Sequence, residues 1–74
     1  MNTMKYFVAN YGPIKDIYIG AENIDKADIG VREKYEAEVN RMCGNVEPAI
    51  FEITRDVFWY HVHMKKTERV IYKG

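Results

Sequence analysis

The chain has 74 residues, enough for one domain with a modest core, and 47% are apolar against 30% charged. Eleven basic and eleven acidic residues cancel, which argues against both the basic balance of a nucleic-acid binder and the acidic surface of a DNA mimic. Cys43 is the single cysteine, so neither an internal disulfide nor a cysteine-based zinc framework can form.

Leu, Ser and Gln are absent, and Ile, Val, Tyr and Phe carry the apolar load. Those side chains suit a pleated sheet, so more strand than helix is expected. Charge is uneven along the chain. Residues 22–54 hold four basic and eight acidic groups, whereas residues 55–74 hold five basic and two acidic. The lead-in Met1-Asn2-Thr3-Met4-Lys5 precedes no long apolar segment of the signal-peptide kind, and no run approaches the roughly 20 residues that span a bilayer. A cytoplasmic location with no membrane association is expected.

Residues 4–11 are rich in β-formers and predict the first strand. Gly12-Pro13 breaks it, and 14–19 alternates again, with Ile17 and Ile19 on one side and Asp16 and Tyr18 on the other. This is a hairpin, or Pro13 places the second run on a sheet edge. From about residue 25 to 43 the period changes. Ala27, Val31, Tyr35, Val39 and Met42 fall on one helical face, opposite Arg32, Glu33, Glu36, Asn40 and Arg41. Asp25 or Asp28 is the expected cap, Gly44 stands at the C-terminal cap position, and Gly30 weakens the first turn, so the helix is open to starting near it. After the connector 45–48, residues 49–55 alternate with Phe51 and Ile53 on one side. A turn at Arg55-Asp56 then pairs Ile53 with Phe58, Phe51 with Tyr60 and Ala49 with Val62. A second turn at 66–68 leads to a last strand over 69–73. The expectation is therefore one α+β domain over 1–74: an antiparallel sheet of about five strands, ordered ββαβββ, with a single helix packed on one face.

The most informative stretch is 57–65. Read as a strand, it places Phe58, Tyr60, Val62 and Met64 on a core face and Trp59, His61, His63 and Lys65 in a row on the other. One helix cannot shield both faces of such a sheet, and strand one offers apolar side chains to both, Tyr6 and Val8 against Phe7, Ala9 and Tyr11. The candidate binding residues are accordingly Trp59, His61, His63, Lys65 and Lys66, together with Phe7 and Tyr11. An exposed apolar face of this kind marks an interaction site, either for a protein partner or for a second copy in a homodimer.

Catalytic patterns are wanting. A serine triad is ruled out by composition, Cys43 lies at a predicted helix C-terminus where the dipole does not favour a thiolate, and no glycine-rich phosphate turn precedes the helix. His61 and His63 would lie about 7 Å apart on a strand face, with Glu52 the nearest third ligand. An ordinary histidine pair is preferred to a metal site, and neither metal nor cofactor is expected. The chain is read as no enzyme but a small protein–protein interaction module. Very short chains of balanced charge are common among phage and mobile-element inhibitors of host machinery, anti-CRISPR proteins included, and a role by surface occlusion is expected on that association. The alternative is a nucleic-acid or nucleotide binder, with Trp59 stacking bases and Lys65 and Lys66 holding phosphates.

Overall fold

A computed structural model describes residues 3–73, leaving Met1, Asn2 and Gly74 outside. The elements run β1 (Lys5–Tyr11), β2 (Ile14–Ala21), α1 (Ile24–Cys43), β3 (Ala49–Ile53), α2 (Arg55–Trp59), which continues as a π-helical turn (Tyr60–Met64), and β4 (Val70–Lys73). The fold is α+β, with a mixed sheet of four strands in the order β3-β1-β2-β4. β1 runs antiparallel to β2 and β3, and β4 runs parallel to β2.

The β1–β2 hairpin forms where Gly12-Pro13 predicts it. Gly12 sits at φ +59, a conformation that glycine adopts without a Cβ penalty. β2 is central in the sheet, so Pro13 does not mark an edge. α1 starts earlier than the glycine suggested. Asn23 in extended conformation is the cap, its side chain accepting the Lys26 N–H at 2.9 Å, and Gly44 ends the helix at φ +79. Gly30 lies inside α1, where its missing side chain lets the helix approach Ile71 of β4.

α1 covers the sheet face formed by Phe7, Ala9 and Tyr11 of β1 and Ile17, Ile19 and Ala21 of β2. Ala27, Val31 and Val39 complete that core, while Met42, expected on the same helical stripe, is exposed. Small Ala9, Ala21 and Ala27 allow close approach, and β-branched Ile and Val fill the remaining space. Lys73 Nζ donates to Glu33 Oε1 at 2.8 Å, joining the end of β4 to α1.

The sheet departs from the expected five antiparallel strands and single helix at residues 55–64. These residues are helical, so β3 pairs with β1 through Tyr6–Ile53 and Val8–Phe51 instead of with the segment that follows it. Phe7 and Tyr11, taken as binding residues, lie beneath α1 at 1% exposure and belong to the core. The second helix also resolves the covering problem: it lies against the face that α1 leaves open. Among the described residues, no helix is long and apolar enough to cross a membrane.

Candidate functional site

The helix at 55–64 forms because of what stands at its start. Thr54 is extended at φ −77 and ψ 158, and its hydroxyl accepts the Val57 N–H at 3.2 Å. Asp56 places a carboxylate in the first turn, where the helix dipole favours it. Phe58, fully buried, then anchors the helix on the open sheet face. Its ring lies 4.6 Å from Tyr6, 6.0 Å from Tyr72 and 6.3 Å from Tyr18. Aromatic pairs at these separations add to the gain from burial alone.

The ladder then widens. Lys65 N–H donates to Tyr60 O at 3.2 Å, an i to i+5 bond. His61 stacks on Tyr18 with centroids 4.8 Å apart and planes 20° apart, and His63 stacks on Trp59 at 4.7 Å and 22°. Lys66 leaves the helix at φ +52, and Thr67 N–H reaches back to His61 O at 3.2 Å. The chain enters β4 at once: Arg69 O accepts the Tyr18 N–H at 2.8 Å, and the Arg69 guanidinium donates to Lys15 O at 3.2 Å.

The row expected along a strand is thereby broken up. Trp59 and His61 are half-buried and engaged in separate stacks, whereas His63, Lys65 and Lys66 are exposed. The proposed core set fares likewise. Phe58 alone is buried, Val62 is half-buried, and Tyr60 and Met64 are exposed at 51% and 73%. With exposed Val57, Tyr60 and Met64 form an outward apolar stripe spaced three and four residues apart. Lys65 Nζ lies 5.9 Å from the Tyr60 ring centroid. The strand reading missed this stripe. The Thr54-x-Asp56 pair before it was the available signal.

On the β2 side, Asp16, Tyr18, His61, Lys65 and Thr67 border an open pocket of about 230 Å³. Asp16 stands at φ +56, with its N–H bonded to the Asn10 side chain at 3.1 Å. Burial pushes the Tyr18 phenol above its ordinary pKa, and the Asp16 carboxylate adds to that shift. Among the described residues, no three His, Cys, Asp or Glu side chains converge as a metal site. Cys43, at the C-terminal end of α1, is a free and exposed thiol. Comparison with protein-family models, curated proteins and solved structures returns no match, so a functional reading rests on the residues themselves.

Proposed function

We propose that this chain is a small protein-binding module that acts by occluding a partner's surface, the mode of host-machinery inhibitors carried by phages and mobile elements, anti-CRISPR proteins among them. The observation that carries the reading is the helical segment 55–64, which is apolar on both sides. Phe58 holds it to the sheet while Val57, Tyr60 and Met64 face outward. Exposed apolar side chains grouped in this way mark an interaction surface. Tyrosine gives a rigid, amphipathic anchor and methionine an adaptable one. Lys65, with its Nζ 5.9 Å from the Tyr60 ring centroid, is a rim charge beside the stripe, which favours a carboxylate on the partner at that point.

A base-stacking role has less support, because one face of Trp59 is already occupied by His63 at 4.7 Å. The test is affinity capture from host lysate, identification of the bound protein, and titration of that protein against wild type and Tyr60→Ala/Met64→Glu. Binding should weaken about 30-fold or more, the loss typical of anchor residues. Folding stability should change by no more than about 0.5 kcal/mol per exposed site. Oligonucleotide binding at physiological salt that is abolished by Trp59→Ala would replace this reading with the nucleic-acid one.

A further inference from the structure

β3 is one of the two outer strands of the sheet, β4 being the other, and the direction of the β3 backbone groups left unpaired among the described residues follows from a single bond. The Tyr18 N–H points to β4, since it donates to Arg69 O at 2.8 Å. Backbone groups of successive strand residues point to opposite edges. Ile17 and Ile19 therefore face β1, and their partners Ala9 and Phe7 face back toward β2. It follows that Tyr6, Val8 and Asn10 face β3 and bond Ile53, Phe51 and Ala49. This leaves the N–H and C=O groups of Ile50 and Glu52 directed outward from the sheet.

Native proteins commonly block such an edge with lysine, an internal proline or a bulge. Between Ala49 and Ile53 β3 has no lysine, proline or bulge, its one charged residue is Glu52, and its pairing with β1 is continuous. Phe51 is 57% exposed on this strand, on the sheet face where α2 packs over β1. Formal net charge is zero, so no net charge opposes the approach of two copies.

An antiparallel copy of β3 can bond only by setting outward residues against outward residues. Ile50 against Ile50 brings Pro48, which has no N–H, opposite Glu52. Glu52 against Glu52 faces two carboxylates. The remaining register sets Ile50 against Glu52 of the second copy and the reverse, so both pairs exchange N–H···O=C bonds. It also places Phe51 opposite Phe51 as a non-hydrogen-bonded pair, the type whose Cα atoms come to about 4.5 Å. The exposed Glu47 end of one strand then lies alongside the Arg55 end of the other.

We propose that β3 is a self-association edge: a second copy of this chain adds antiparallel to it about a two-fold axis at Phe51, making one sheet continuous across both copies. This edge is separate from the Val57, Tyr60 and Met64 stripe, so either assignment can fail alone. The test is sedimentation equilibrium of wild type and Glu52→Pro, with Phe51→Cys cross-linking in a Cys43→Ala background. Wild type should approach twice the chain mass as concentration rises. Glu52→Pro removes an outward N–H that β1 does not use and sets a proline ring, compatible with an edge strand, in place of the Glu52 carboxylate; it should stay monomeric with an unchanged circular-dichroism spectrum. Under mild oxidation Phe51→Cys should form a disulfide dimer, and Ile53→Cys, whose counterpart in this register is Ala49, should not. The cross-link decides the matter even if Glu52→Pro fails to fold. A wild type that remains monomeric at its highest soluble concentration overturns the proposal. So does a dimer that persists in Glu52→Pro, or one in which Ile53→Cys cross-links and Phe51→Cys does not.

Discussion

The two faces of the sheet are built on different terms. The α1 face is mostly aliphatic: Ala9, Ile17, Ile19 and Ala21 of the sheet are wholly buried against Ala27, Val31 and Val39 of a helix of 20 residues, with Phe7 and Tyr11 packed among them at 1% exposure. The opposite face is aromatic, and its cover is a five-residue α-helix prolonged by a π turn. One large side chain, Phe58, is fully buried there, and the outer side of the cover is itself apolar. The first face supplies the cohesion of the fold, and the second presents a surface. A short helix below the length that is stable alone depends on its cap and its anchor.

The sharpest way to break this contrast is to truncate one anchor on each face. Phe7→Ala should cost about 3 to 5 kcal/mol, a large share of the stability of a domain this size, and unfold the chain as a unit. Phe58→Ala removes a comparable volume, but the loss should be confined to residues 55–64. Hydrogen exchange should then show that helix opening while α1 and the β1–β2 ladder stay protected. Global unfolding of both variants at the same denaturant concentration, with no selective exchange, would show that the faces are not independent.

Legibility followed the same division. α1 and the β1–β2 hairpin were readable because each has one period and one punctuation mark: Ala27, Val31, Tyr35 and Val39 with Gly44, and the alternating runs about Gly12-Pro13. The run 57–65 satisfies two periods at once. Every second residue from Phe58 is apolar, yet Phe58 with His61 and Val62, and Val57 with Tyr60 and Met64, keep helical spacing. Short apolar runs do not separate strand from helix by period alone. Local capping decided it, and tertiary burial of Phe58 on Tyr6 and Tyr72 reinforced it. The strand error carried into the site, because a row of four side chains on one face exists only at a period of two. His61 and His63 became members of two separate stacks, and Phe7 and Tyr11 fell on the face that α1 chose. The pairing of β3 with β1, and the parallel entry of β4 beside β2, depend on contacts far apart in sequence that no local pattern encodes.

A smaller effect should come from the cap. Thr54→Ala removes the acceptor for the Val57 N–H and should cost about 1 kcal/mol, again localised to the aromatic face. Restoration by Thr54→Ser or Thr54→Asp distinguishes capping from a packing role. If serine and aspartate destabilise as much as alanine, the hydroxyl is not what holds the helix start.

The smallest effect is a pH dependence carried by Tyr18, which lies at the centre of the aromatic face against His61 and Phe58. Burial first, and Asp16 second, raise its phenol above the ordinary value of 10.0. In the interval above that value the unfolded chain has released the proton and the folded chain keeps it. The unfolded state then binds fewer protons, so stability falls as pH rises. The contribution is intact below 10.0 and is lost as pH climbs through the folded-state value. Tyr18→Phe keeps the ring that stacks on His61 but has no proton to lose. Urea denaturation from about pH 9 to about pH 11.5, bracketing the tyrosine range, should show a shallower decline for the variant than for wild type. Tyr35, whose phenol is also raised chiefly by burial, lies against the α1 core, and its replacement by phenylalanine should flatten the decline further. Parallel curves for wild type and Tyr18→Phe would mean that the aromatic face opens before the phenol ionises. Its cover would then be looser than the close ring stacking implies.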